Sequence, residues 1–465
     1  MKQKRIFVGK VSSLAFPNKG TVQTEEGDVV VKNVIPGQTV SFVLSKNRPG
    51  RKEGRLLEIL ERSPLEGRPG CICHADCGGC IYQTLPYEEE LKLKEAQIRT
   101  LLEGFLKNHP DMAKEGWFQP ILASPVCEGY RNKMEFSFGN EYKDGPIALG
   151  MHRFGRFNDI IDTPDCRIVS GDMRMIRQYC IDWARRLGLR FYRRQDNGGY
   201  LRHLLLRRGV RTGELLVALV TTSEDKPDLT EFTEGLLSLD LEGKITGIMH
   251  IVNDSVGDAV RDECHELLYG REHLFDEILG LRFRISPFSF FQTNTLGAEI
   301  LYRTAADYVR LALGSPSGKA GTVFDLYSGT GTIAQVMAGS ASKVVGIELV
   351  EEAVEAAKEN ARMNGIQNVE FLAGDVFAVM QEIPDHPDLI ILDPPRDGVS
   401  PKALSKILSY GADHMIYISC KATSLVRDLQ SIYDAGYSLV HAVPVDLFPQ
   451  TANVETIALM SKVGD

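Results

Sequence analysis

From residue 321 onward, short apolar runs alternate with helical stretches, and this alternation constrains the fold more than any other feature of the chain. Thr322-Val-Phe-Asp-Leu-Tyr327 reads as a buried strand, followed by a glycine turn and a helix. Val344–Glu348 reads as the next strand and 351–363 as the helix after it. Further strands are expected at Val369–Leu372, Asp388–Leu392, Met415–Ser419 and Ser438–Val443. Such an order predicts a doubly wound α/β domain, whose ligands sit at the carboxyl ends of the strands.

The residues at those ends carry the chemistry. Asp325-Leu-Tyr-Ser-Gly-Thr-Gly331 lacks the Lys-Ser/Thr of a phosphate loop and the third glycine of a dinucleotide fingerprint. It suits an uncharged-tail nucleoside such as S-adenosylmethionine, which needs close backbone approach at Gly329 and Gly331. Glu348, 23 residues after Asp325, is placed to accept ribose hydroxyls, and Asp375 follows the third strand where it can reach an adenine amine. A dinucleotide is the alternative ligand. Asp393-Pro-Pro-Arg396 ends the fourth strand with a stiffened carboxylate, and Cys420 ends the fifth.

A thiolate beside a methyl donor has a specific use. It adds to carbon 6 of a pyrimidine and makes carbon 5 nucleophilic, after which a base must remove the carbon-5 proton. Glu455, expected to end the turn Phe448–Glu455, is a candidate for that base, a plain surface glutamate being the alternative. Ahead of the domain, Gln292 can hydrogen-bond cofactor or base, and Phe290 or Phe291 can stack.

Cysteine usage adds a second centre. Of nine cysteines, Cys71, Cys73, Cys77 and Cys80 crowd into ten residues, a spacing that in a reducing compartment favours metal or iron–sulfur ligation over disulfides. Zinc could complete four ligands with Cys73 or His74, whereas a cubane cluster needs a distant thiolate, for which Cys166 in a turn-like segment is the candidate. Spacing alone leaves both open.

The front of the chain is different again. Residues 1–62 break into five short β segments separated by turn residues and carry a net charge of +6, which suits a small OB-like RNA-binding barrel. Residues 85–102 predict an amphipathic helix with Leu91, Ile98, Leu101 and Leu102 on one face. Residues 151–211 hold 14 arginines and a net charge of +8, an arrangement suggesting phosphate contacts, while 321–465 carry −10. The whole chain, 465 residues at −9, is about three domains long and no generic polycation. It has no apolar run of membrane-spanning length and no signal-peptide core, so a cytoplasmic location is expected.

In combination these motifs resemble the RNA (uracil-5-)-methyltransferases of the 23S ribosomal type. The resemblance implies a TRAM barrel (1–62), an α+β central domain with an iron–sulfur cluster (63–285) and a Rossmann-like methyltransferase domain (286–465). It also implies a [4Fe-4S] cluster on Cys71, Cys77, Cys80 and Cys166, with Cys73 an extra. S-adenosylmethionine contacts would come from Gln292, Tyr327, Glu348, Asp375 and Asp393, with Cys420 as nucleophile and Glu455 as base. The chain departs from the family's pattern at Lys421-Ala422, where Asn-Pro is usual, and at Asn453, where histidine is frequent. Lys421 could hold Cys420 as thiolate or contact phosphate. The expected partner is structured RNA, 23S rRNA first, with no obligate protein partner. The rivals are transfer RNA as substrate and a non-catalytic RNA-binding factor on the same fold.

Overall fold

The computed structural model describes residues 5–25, 27–48, 50–224, 227–257, 259–314, 321–383 and 385–462. The basic stretch Lys46–Lys52, which the sequence suggests as a turn of the RNA-binding barrel, includes Pro49, which lies outside them.

The chain begins with β1 (Ile6–Ala15), β2 (Lys19–Val22), β3 (Val29–Lys32), β4 (Thr39–Arg48) and β5 (Arg51–Glu61). They close a barrel in the order β1-β2-β3-β5-β4. Its interior is a set of valines around Phe42, among them Val11, Val22, Val31 and Val40. A β-carbon at Gly54 would lie 2.6 Å from the Phe42 ring, so glycine is what lets β5 cross this small core.

After the cysteine run comes α1 (Tyr87–Leu106). A central sheet then forms from β6 (Lys133–Asn140), β7 (Ile147–Arg153), β8 (Arg156–Asp162), β9 (Leu201–Arg208), β10 (Glu214–Thr221), β11 (Lys244–Val252) and β12 (Cys264–Gly270). Their order is β12-β11-β10-β9-β6-β7-β8. The two-residue period divides its faces. Leu204, Leu206, Val217 and Leu219 pack under α2 (Gly171–Arg186) and α3 (Thr230–Leu237). Their neighbours Leu205, Leu216, Ala218 and Val220 join the core that continues into the C-terminal part.

That continuation starts with the hairpin β13 (Leu274–Ile278) and β14 (Leu281–Ile285), followed by α4 (Thr295–Ala312). The remaining elements are β15 (Thr322–Leu326), α5 (Thr332–Met337), β16 (Lys343–Glu348), α6 (Glu351–Met363), β17 (Val369–Ala373), α7 (Val376–Glu382), β18 (Leu389–Leu392), α8 (Pro401–Ser409), β19 (His414–Ser419), α9 (Ala422–Asp434), β20 (Tyr437–Val445) and β21 (Glu455–Lys462). The sheet order is β17-β16-β15-β18-β19-β21-β20. Strands β15 to β19 run parallel, as the alternation predicts. β21 differs: it inserts antiparallel between β19 and β20.

The free edge of β20 is covered from a distance. Ala113, Phe118 and Leu122 bridge to Leu439, Ala442 and Val445, and α1 packs against both α9 and β1. Among the described residues no helix is long and apolar enough to cross a membrane.

Candidate active site

The glycine turn after β15 shapes the first half of the site. Tyr327 takes a left-handed φ of 67° and Gly331, with φ 77°, opens α5. A β-carbon at Gly331 would lie 2.5 Å from the Phe371 ring, so this turn closes only on glycine. Glu348, the last residue of β16, folds back over it. Its Oε2 accepts the Gly329 N–H at 3.0 Å and its Oε1 the Val350 N–H at 3.0 Å. Asp375 lies between β17 and α7, and it joins burial in pushing the Tyr327 phenol up. Tyr327, Glu348 and Asp375 thus gather at the carboxyl ends of β15, β16 and β17.

Among the described residues, two buried polar atoms at the end of β15 and in the turn have no hydrogen-bond partner, Asp325 Oδ1 and Ser328 Oγ. The other Asp325 oxygen accepts the Ala334 N–H at 3.0 Å. Orphaned groups of this kind need a partner that the folded chain does not supply, and a polar nucleoside tail can supply it.

The second half is a cluster of buried acids around a thiol. Asp393 follows β18, Cys420 follows β19 and Glu455 opens β21. Contrary to the expected turn position, Glu455 is in the sheet and 2% exposed. Ser419 pairs with Thr456 in the antiparallel register, so the next step along both strands brings Glu455 opposite Cys420. Burial pushes the Asp393 carboxyl up to about 7. Burial, then Asp393, holds Glu455 well above the usual carboxylate range. Burial, reinforced by Glu455 and Asp393 and opposed by Arg396, pushes the Cys420 thiol up to about 11.

Sequence reasoning missed the group that joins the two halves. Tyr302, on α4, is fully buried and hydrogen-bonded to the Gln292 side chain, and its phenol is pushed well above its ordinary value by burial and by Asp393, Asp325 and Glu455. Gln292 itself is 6% exposed, with its carbonyl accepting from Asn132 Nδ2 at 2.8 Å. Phe291 is buried against Phe283, leaving Phe290 as the phenylalanine that faces solvent.

One expectation is corrected and another narrowed. The cation that acts on Cys420 is Arg396, which also donates to Asn453 Oδ1 at 3.4 Å, whereas Lys421 points to Asp397 at 3.7 Å. In the arginine-rich stretch, Arg156, Arg185, Arg186, Arg190, Arg193 and Arg194 are exposed, while three guanidiniums are turned inward and hold the protein. Arg177 pairs with Asp162, Arg202 donates to the carbonyls of Asn253 and Ser255 at 2.7 Å, and Arg207 donates to that of Pro287 at 2.8 Å.

All nine cysteines are free. Those at 71, 77, 80 and 166 lie near enough to affect one another. Burial raises the thiols of Cys80 and Cys166, the latter to about 11, and Cys71 and Cys77 raise both further. Cys73 is affected by the same group and donates its thiol to Asp162 O at 3.2 Å. Among the described residues no three His, Cys, Asp or Glu side chains converge on a single metal ion. The donor set is soft sulfur throughout, the ligand type that iron–sulfur groups take, and a bound cation would favour the thiolate forms.

Comparison with known proteins decides the family. The chain is 42% identical over 462 residues to an uncharacterized RNA methyltransferase of Caldanaerobacter subterraneus subsp. tengcongensis, covering 99% of this chain and 100% of that one. An uncharacterized RNA methyltransferase of Clostridium acetobutylicum is 43% identical, covering 97% and 96%. The chain belongs to the RNA methyltransferases. A family model described as a methyltransferase domain matches residues 317–452, and a domain of this kind takes S-adenosylmethionine as its methyl donor. Among solved structures, the tRNA (uracil-54, C5)-methyltransferase of Pyrococcus abyssi, in complex with S-adenosyl-L-homocysteine, shares the fold. It has a TM-score of 0.73 and 22% identity, with 98% of this methyltransferase and 100% of that chain covered.

Proposed function

We propose that this RNA methyltransferase modifies carbon 5 of uracil. The observation that carries the reading is the placement of Cys420 opposite Glu455 across β19 and β21, with Asp393 beside them. The Cys420 thiolate adds to uracil carbon 6, forming the S–C6 bond and moving the ring π electrons to carbon 5. Carbon 5 takes the methyl group, and the donor leaves as S-adenosylhomocysteine. Glu455 then removes the carbon-5 proton, the C5–C6 double bond re-forms, and the thiolate is expelled. A glutamate whose burial favours the neutral form is suited to this last step: as an anion in a dry pocket it is a stronger base than one in water.

Gln292, Tyr327, Glu348, Asp375 and Asp393 hold the donor in this reading, with Glu348 on the ribose and Asp375 on the adenine amine. The target uracil must leave its stack to reach Cys420, and Phe290 at the rim can support the neighbouring base. Cys71, Cys77, Cys80 and Cys166 hold a [4Fe-4S] cluster that shapes the domain; the reaction transfers no electron.

Ribosomal RNA of the 23S type is the first substrate reading. Transfer RNA is the second, and one observation favours it: the Pyrococcus abyssi tRNA enzyme matches this fold over 98% of the chain, barrel region included. The presence of a barrel therefore does not choose between them.

The test is tritium release from RNA labelled at uracil carbon 5, using wild type, Cys420→Ala and Glu455→Gln on 23S fragments and on transfer RNA. Release by wild type alone is expected, and the faster RNA identifies the substrate. Methyl incorporation without tritium release would sink the carbon-5 reading. Binding of RNA with no methyl transfer would favour the non-catalytic rival.

A further inference from the structure

Glu455 enters β21 from the loop 446–454, and much of what holds that loop comes from the N-terminal third of the chain. Asp446 Oδ1 accepts from Lys94 Nζ at 2.8 Å, and its Oδ2 accepts from the Tyr87 hydroxyl at 2.9 Å. Lys94 also donates to Phe448 O at 3.1 Å and to Glu90 Oε1 at 2.7 Å. Glu90 Oε1 in turn accepts the Gln450 N–H at 2.6 Å. The Tyr130 hydroxyl donates to Pro449 O at 3.0 Å. Gln450 has a left-handed φ of 70°, and its carbonyl accepts the N–H groups of Ile81 and Tyr82, the two residues that follow Cys80, at 2.8 and 3.0 Å.

Lys94, Glu90 and Asp446 are at most 2% exposed. Taking three charged groups out of water, two of them acidic, is an expensive way to glue two parts of a protein together, and an apolar contact would do so at lower cost. Directional bonds accomplish something an apolar contact cannot. They fix the backbone at residues 446, 448, 449 and 450 in turn, just ahead of a carboxylate that must meet one particular proton.

We propose that the buried Lys94–Glu90–Asp446 triad and the Tyr130 hydroxyl form a positioning clamp for Glu455, acting on proton removal after methyl transfer. The inference rests on the uracil carbon-5 reading and adds positioning residues to it. It places control of the last chemical step in α1 and at Tyr130, just ahead of β6, outside the methyltransferase sheet.

The experiment uses full-length Tyr130→Phe and Lys94→Met beside wild type. It measures kcat, the KM values for RNA and donor, and the fraction of protein trapped on denaturing gels as a covalent adduct with methyl-labelled RNA. Tyr130→Phe is expected to lower kcat about three- to tenfold and Lys94→Met about thirty- to a hundredfold, with both KM values within about twofold of wild type. In both variants the trapped adduct should rise, because the methyl group arrives and the proton stays. Should Lys94→Met fail to fold, Tyr130→Phe, which loses one oxygen atom, decides. A kcat loss without adduct build-up, or no change in either quantity, overturns the clamp while leaving the uracil reading intact. Absence of tritium release from wild type overturns the uracil reading, and the clamp with it.

Discussion

Buried charge is handled in opposite ways in the central sheet and in the catalytic pocket. On the central sheet and the helix α2 packed on it, three buried guanidiniums find acceptors: Arg177 in Asp162 and in Leu149 O at 2.7 Å, Arg202 in the carbonyls of Asn253, Ser255 and Gly257, Arg207 in those of Pro287 and Ser289. Burial still lowers Arg207 to about 9, but its donors have acceptors. In the pocket, burial raises Asp325, Asp393 and Glu455, Asp393 raises the other two further, and among the described residues none of the three makes an ion pair. A buried charge that is satisfied organises a fold. One left unsatisfied beside others of its own sign stores a cost that a ligand or a reaction can relieve.

The sharpest way to break this contrast is to empty the pocket of its proposed nucleophile. Cys420→Ala should reduce methyl incorporation by about a thousandfold or more while RNA affinity in a gel shift stays within about twofold. Glu455→Gln comes next. Turnover should fall by about a hundredfold or more, with the methylated covalent adduct accumulating on a denaturing gel.

Asp393→Asn tests the stored cost itself. The native state keeps a proton on Asp393 up to about 7, whereas the unfolded chain releases it near the ordinary value of 3.8. The unfolding free energy contributed by this group therefore falls as pH rises between those values, and the penalty is complete above the upper one. The variant should be more stable than wild type in urea at alkaline pH, by on the order of 2–4 kcal/mol, and equal to it in acid below the lower value. Its methyl transfer should decline.

The central sheet should behave in the reverse sense. Arg202→Met leaves three carbonyls without a donor and should cost about 2–3 kcal/mol in denaturant melts, with kcat unchanged. Lys421→Ala should be the mildest, within about twofold of wild-type kcat at neutral pH, since its ammonium group lies beside the exposed Asp397.

Much of the pocket was readable because parallel strands are buried on both faces, so the first polar residue after an apolar run marks a strand end. Glu348 and Asp393 follow that rule, and Tyr327 and Cys420 lie within two residues of the polar residue that marks it. Glu455 was found by residue type, but its element was not. The antiparallel insertion of β21 is set by pairing with β19 and β20, which no local pattern announces. α1 shows the same gap more plainly. Its apolar period is visible, yet the residues it buries include Glu90, Lys94 and Gln97 beside Ile98 and Leu102, because the partner of Lys94 lies 352 residues away. The arginine-rich stretch shows a related limit: composition counts guanidiniums but does not separate the buried Arg177, Arg202 and Arg207 from the exposed ones. Tyr302 and Asn132 left no signal at all, since each is defined by what surrounds it.

The bond between Lys94 and Asp446 also has a consequence for how the chain comes to be folded. During synthesis, α1 leaves the ribosome long before Asp446 exists, so the nascent N-terminal part carries the Lys94–Glu90 pair on a face that cannot yet be sealed. Domains that mature one after another need no such late arrival. Here the last strands act as a latch on the first helix, and a chain interrupted before Asp446 is expected to keep that face open, an easy target for proteases that clear unfinished products.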